Sequence, residues 1–145
     1  MKSIAFNKRA KFDYDIKETF DAGLILTGPE VKSAKSGNVS LAGSYVKVNA
    51  RGAILTGAHI GPYKYAPDET YDPTHDRGLL LNKAELDKLI GKEKGLTVVP
   101  IEMYATNRGL VKLKLGLGKG RKKEDKREYI KNRDNDKEIR RTTDR

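Results

Sequence analysis

Residues 96–117 read LTVVPIEMYATNRGLVKLKLGL, and this stretch decides the fold. Its two arms, 96–104 and 110–117, flank Asn107-Arg108-Gly109, where glycine supplies the positive φ that a tight hairpin connection needs. The second arm alternates cleanly. Val111, Leu113 and Leu115 fall on one face and Lys112 and Lys114 on the other, the period-two pattern of a strand with one side in a core. In the first arm Pro100 has no N–H to give a ladder, which places it at an edge or a bulge. The hairpin predicts an antiparallel sheet with one wet, basic face.

The same signals recur on either side. KFDYDIK (11–17) alternates Phe12, Tyr14 and Ile16 with polar neighbours, and ETFDAGLILT (18–27) reads as a second strand. Within it, Ala22-Gly23 marks a bulge or a close backbone approach. SYVKVN (44–49) and AILTGAHI (53–60) flank Ala50-Arg51-Gly52, a further hairpin. Two short helices interrupt the strands. TGPEVKSAKSGN (27–38) predicts one over 29–36, with Gly28 as N-cap, Pro29 in the first position, Glu30 at the positive end of the dipole and Gly37-Asn38 as the stop. Val31 and Ala34 face a core, while Lys32 and Lys35 share a neighbouring face. LLLNKAELDKLIGK (79–92) predicts the other, with Asn82 as N-cap, Glu85 completing a capping box, and Gly91 as the end. Leu86, Leu89 and Ile90 form its buried stripe. About six short strands with two or three short helices predict a mainly β fold, a small closed or partly open barrel.

Composition limits what this barrel does. The chain has 145 residues, a one-domain length, and carries a formal charge of +10. Its pI is about 9.7 and its mean hydropathy −0.70, so the core is modest and the balance points to a polyanionic partner. With no cysteine there are no disulfides or thiolate metal sites. No apolar window is long enough to cross a bilayer. The start, MKSIAFNKRAKF, has a basic cluster without an apolar core, so it does not read as a secretory signal, and a cytoplasmic location is expected.

Half the net charge sits at one end. Residues 118–145 hold 12 basic and 7 acidic residues and only three large apolar ones, Tyr129, Ile130 and Ile139. That is too little to build a core, yet acid–base pairs such as Glu128–Lys131 and Asp136–Arg140 fall at helical spacing. The expected organisation is a barrel over 1–117 and a basic tail over 118–145, disordered when free and helical on a partner. A membrane-surface role for the tail is weaker, because its apolar residues form no broad face.

Catalytic signals are sparse. Asp72, His75 and Asp76 in DPTHD offer hard and borderline metal ligands, and a metal-dependent nuclease is the alternative they raise. The same residue types are ordinary turn formers. No phosphate-binding loop, nucleophile elbow or zinc-binding helix motif occurs, so no catalytic residue, metal or cofactor is expected. Binding signals agree better with one another. Basic residues gather at Lys8, Arg9 and Lys11, at Lys32 and Lys35, and at Lys112 and Lys114. Tyr63, Tyr65 and Tyr71 in the long 61–77 loop can stack on bases.

NKRAKFDYDIKETFDAGLILTGPEVKSAKSGNVSLAGSYV (7–46) resembles the opening of the SmpB family, the SsrA-binding proteins of bacterial trans-translation. DPTHDRGLLLNKAEL (72–86), TVVPIEMY and GKGRKKEDKREYIK continue the resemblance in the same order, over nearly the whole chain. It implies an oligonucleotide-binding-type barrel that binds the tRNA-like domain of transfer-messenger RNA (tmRNA) and escorts it to ribosomes stalled on messages lacking a stop codon. Barrel and RNA together stand in for a complete tRNA, and the tail enters the empty mRNA channel next to the decoding centre and becomes helical. The family pattern adds Asn7, Leu80 and Asn82 to the RNA-binding set; Asp21 and Glu30 are counted with them as residues that orient neighbouring groups, because a carboxylate facing phosphate would repel it. In the tail it implies ribosome contacts by Lys119, Arg121, Lys122, Lys123, Lys126, Arg127 and Lys131, with Asp125 in a DKR stretch. A monomer is expected, with no membrane partner. A general binder of structured RNA remains the neighbouring alternative.

Overall fold

In a computed structural model, residues 1–122, 126–128 and 130–131 are described. In chain order the elements are β1 (Lys2–Phe6), α1 (Ala10–Asp13), β2 (Tyr14–Leu24), α2 (Gly28–Lys35), β3 (Val39–Ser40), β4 (Tyr45–Asn49), β5 (Gly52–Thr56), β6 (His59–Ile60), β7 (Arg77–Leu80), α3 (Lys83–Ile90), β8 (Leu96–Ala105) and β9 (Val111–Gly120). Residues 126–128 and 130–131 are also helical.

The 96–117 hairpin lies within the main sheet, beside its β1 edge. β8 and β9 pair antiparallel through a turn in which Gly109 has φ +82°. The main sheet runs β1-β8-β9-β2-β7-β5-β4, every neighbour antiparallel, and β3 pairs with β6 as a separate two-stranded ribbon. The edge strand β4 curls back to lie against β8 without joining its ladder. The barrel is therefore partly open. Inward residues of both faces, among them Phe20, Leu55, Leu79, Met103, Leu113 and Leu115, fill one core with Ala34 of α2 and Leu89 of α3.

Several local rules hold as expected. Pro100 sits at a bulge, since the β8–β9 register slips between Pro100 and Glu102. In α3 the Asn82 side chain accepts from the Glu85 amide at 2.8 Å, and Glu85 reaches back to the Asn82 amide. Helix α2 ends with Gly37 at φ +85°, its amide on the Ala34 carbonyl and the Asn38 amide on that of Ser33. That pair of bonds satisfies carbonyls the helix would otherwise leave open.

Other expectations are corrected. The N-cap of α2 is Thr27, not Gly28: its hydroxyl accepts from the Glu30 amide while Glu30 accepts from the Thr27 amide. A hydroxyl satisfies a donor that glycine cannot. Residues 11–27 do not split into two strands. Ala10–Asp13 forms a helical turn, held by the Arg9–Asp13 ion pair at 3.2 Å and by burial of Ala10 against Val99 and Ile101. β2 then runs unbroken through Leu24, with its bulge at Lys17 rather than at Gly23. Gly23 is instead a close approach, because a Cβ there would lie 3.2 Å from that of Leu80. β1 and β7 raise the main sheet to seven strands. Ile90 is exposed, so the stripe of α3 rests on Leu86 and Leu89.

β9 also extends past Leu117 to Gly120, pairing Gly118, Lys119 and Gly120 with Ile16, Asp15 and Tyr14. Gly116 and Gly118 lie where this strand passes through a tight space. A Cβ on Gly116 would sit 2.6 Å from Ile101 Cδ1, and one on Gly118 2.9 Å from the Asp15 carbonyl oxygen.

Candidate nucleic-acid interface

The outward face of the sheet collects residues far apart in sequence. Cross-strand neighbours share a face, and the register sets Asp21 opposite Lys114, Lys114 opposite Glu102, and Gly23 opposite both Lys112 and Leu80. Lys112 and Lys114 form no ion pair among the described residues, so their charge is available to a ligand. Tyr104, itself buried, donates its hydroxyl to Asp21 Oδ1 at 2.7 Å. Burial, reinforced by that carboxylate, pushes the phenol up to about 12. Asp21 is thus held in place by a neighbour.

Leu80 is 62% exposed, not the core position its apolar triplet also allows. Asn82 stands two residues on, at the N-terminus of α3. Its carboxamide oxygen serves the helix cap, leaving its –NH₂ without a partner among the described residues. One side chain therefore caps a helix and still offers two donors.

Helix α2 presents Lys32 and Lys35 as expected, both exposed. Lys35 Nζ reaches to 3.0 Å from the position a Cβ would take on Gly109. Lys35 thereby meets the turn that leads into Lys112 and Lys114, while Lys32 lies over the Tyr63 ring. Glu30 does not belong on this surface. It is 2% exposed, and its Oε2 accepts from Arg77 Nε at 2.9 Å and from Tyr71 OH at 3.1 Å, with His75 Nε2 at 2.9 Å. Burial alone would raise its carboxyl; the Thr27 amide, Arg77 and His75 outweigh that and hold it at about 2.

Asn7 is likewise buried and structural. Its Nδ2 donates to the Pro100 carbonyl at 2.8 Å, and its backbone amide to that of Ile101 at 2.7 Å, so it fastens the end of β1 at the β8 bulge. Lys8, Arg9 and Lys11 are exposed, and Arg9 and Lys11 meet the root of the tail. Arg121 donates to the Lys11 carbonyl through Nε and to the Asp13 carbonyl through its amide. Lys126 Nζ joins Arg9 on Asp13 Oδ1, each at 3.2 Å, and both cations lie over the Phe12 ring. Burial tends to raise the Asp13 carboxyl, but Lys126 and Arg9 hold it below the ordinary range. Lys119, Lys122, Arg127 and Lys131 follow nearby in sequence, while Lys123 and Asp125 lie outside the described residues.

The Asp72–Asp76 segment forms turns. Asp72 Oδ1 accepts from both the amide and hydroxyl of Thr74, at 3.0 Å each, and His75 faces Glu30. Among the described residues no group of three acidic or histidine side chains is placed to hold a metal ion, and no helix is long and apolar enough to cross a membrane.

Sequence reasoning missed Arg77, whose guanidinium is fully buried and donates to Glu30, Tyr71 and the carbonyls of Ala58, Pro73 and His75. The signal was present. Arg77 and Leu79 are two apart on one strand, so an inward Leu79 carries Arg77 inward with it, and a buried guanidinium needs an acid.

Comparison with known proteins agrees with this arrangement. The family model described as SmpB protein matches residues 4–145. The SsrA-binding protein of Coprothermobacter proteolyticus is 46% identical over 144 residues, covering 97% of this chain and 96% of that one. That of Caulobacter vibrioides is 47% identical over 135 residues, covering 92% and 89%. Among solved structures, a chain from "tmRNA-SmpB: a journey to the center of the bacterial ribosome" superposes with a TM-score of 0.67 at 40% identity, covering 86% of this chain and 92% of that one. With fold, register and near-complete sequence coverage in accord, the chain belongs to the SmpB family.

Proposed function

We propose that this chain binds the tRNA-like domain of tmRNA and delivers it to stalled ribosomes for rescue and peptide tagging, its tail sensing the empty mRNA channel. The relatives' name and the ribosomal setting of the solved neighbour support the partners. One observation carries the division of labour. Lys112, beside Gly23 and Leu80, and Lys119, beside Asp15, lie on the same strand seven residues apart. At ~3.3 Å per residue β9 separates them by roughly 23 Å. A molecule holding RNA at the Leu80 end can therefore project its C-terminal segment from the other.

On this reading Lys112, Lys114, Lys32 and Lys35 supply the charge that attracts phosphate, and Leu80 and Asn82 supply apolar contact and hydrogen-bond donors. Asp21 fixes its surroundings without approaching the RNA backbone, which would repel it. Lys119, Arg121, Lys122, Lys126, Arg127 and Lys131 take the ribosomal RNA. The work is binding rather than catalysis; peptide transfer belongs to the ribosome. The test is a purified translation system stalled on a message without a stop codon. Adding the chain with tmRNA should yield tagged peptide, and tagging no better than with tmRNA alone contradicts the proposal.

A further inference from the structure

Tyr63, Lys64 and Tyr65 project from the 61–76 loop beside the end of α2. The two rings meet edge to face with centroids 5.3 Å apart. Lys32 Nζ lies 5.7 Å over the Tyr63 ring and Lys64 Nζ 4.8 Å over that of Tyr65. Neither phenol hydroxyl has a partner among the described residues, and Tyr65 is 72% exposed. Between these rings and Ser36 and Asn38 runs a groove of about 460 Å³.

The groove has two properties of a nucleotide site. Its lining contains no carboxylate, whereas the opposite side of Tyr63 includes Glu30 and Asp68. An anion entering the groove therefore meets no carboxylate in its lining. The platform is also fixed before any ligand arrives: the Gly61 amide donates to the Asn38 carbonyl at 2.9 Å, Ser33 Oγ donates to the Gly61 carbonyl, and the Ala66 amide closes a turn on Tyr63 at 3.0 Å. Farther along the loop, Tyr71 OH donates to the Ile60 carbonyl at 2.8 Å and is locked to Arg77. Tyr71 is thus an anchor, while Tyr63 and Tyr65 are presented. Preorganised aromatic surface with adjacent cations is what single-stranded nucleic acid uses, because every base has a π-face.

We propose that Tyr63 and Tyr65, flanked by Lys32 and Lys64, form a stacking platform for one unpaired base of the bound tRNA-like RNA, the two lysines taking its phosphates. Lys64 occupies one face of the Tyr65 ring, and a ring this exposed retains surface for a base. The inference rests on the RNA-binding reading above and adds to it a second point of attachment on the α2 side of the molecule.

The chain has no tryptophan, so Tyr65→Trp places a lone indole on the platform. Titrating that variant with the tRNA-like domain of tmRNA should quench its fluorescence, and Tyr65→Ala should weaken binding of the same RNA about 5- to 100-fold while Tyr65→Phe does not. Unchanged melting of Tyr65→Ala is expected from its exposure and keeps the comparison clean. Tight binding by Tyr65→Trp without quenching, or full affinity in Tyr65→Ala, overturns the platform alone. Quenching by ribosomal subunits but not by the tRNA-like RNA overturns the assignment to that RNA. Failure of the wild-type chain to bind the RNA overturns the underlying reading, and the platform with it.

Discussion

Arg77 Nε and Glu30 Oε2 lie 2.9 Å apart, joining residues 47 positions apart in sequence, and both side chains are sealed from solvent. The pair ties the start of α2 to the start of β7, and so ties Lys32 and Lys35 to Leu80 and Asn82. A buried ion pair adds little net stability over apolar packing, but losing one partner leaves an uncompensated charge. Glu30→Gln or Arg77→Met should each cost about 3–5 kcal/mol in urea unfolding. The double variant should lose less than the sum of the two. Strict additivity would show that the pair is not coupled.

Acid should reveal the same network. Glu30 is lowered from its ordinary 4.5 to about 2, so its contribution is fully present above about 4.5 and is lost as pH falls toward 2. Across that window the loss is up to ~3 kcal/mol. Stability measured between pH 6 and 2 should fall more steeply in the wild type than in Glu30→Gln. Equal slopes would remove Glu30 as the source.

Lys112 and Lys114 carry charge without structural partners among the described residues. Replacing both with alanine should change stability by no more than ~0.5 kcal/mol. The slope of log affinity against log salt for tmRNA should flatten by about one unit or less for each phosphate that a lysine no longer neutralises. An unchanged slope would take the sheet face out of the interface.

Where the chain is cut matters. β9 runs to Gly120, and Gly118, Lys119 and Gly120 pair with β2. Removing residues 118–145 should lower the melting temperature, whereas removing 123–145 should preserve both melting and RNA binding. The shorter deletion should nevertheless abolish peptide tagging on stalled ribosomes. Tagging by that truncated chain would refute the role given to the tail.

What the sequence made legible was local. Hairpins at Gly52 and Gly109, the capping box of α3 and the stop of α2 are written in neighbouring residues. Lys112 and Lys114, alternating with core leucines, revealed the basic face. The unread parts depend on distant partners. Phe12 alternates as a strand residue should, but the Arg9–Asp13 pair and the burial of Ala10 turn it into a helix. The strand expected to end at Leu117 runs on to Gly120, where Gly118 lets the Asp15 carbonyl of β2 come within 2.9 Å of where a Cβ would stand. Asn7 and Glu30 look like surface polar groups, and their burial follows from Pro100 and Arg77, far away in sequence. Family resemblance marked Leu80 and Asn82; the backbone pairing with Gly23 explains why Leu80 stays outside.

The most direct test is binding of the purified chain to the tRNA-like domain of tmRNA near physiological salt, with an elongator tRNA as competitor. Tight binding that survives the competitor, and that weakens in Leu80→Asp and Asn82→Ala, is the expected result. Equal, salt-fragile binding to both RNAs would contradict a shape-specific rescue factor and leave only a basic surface with general affinity for RNA.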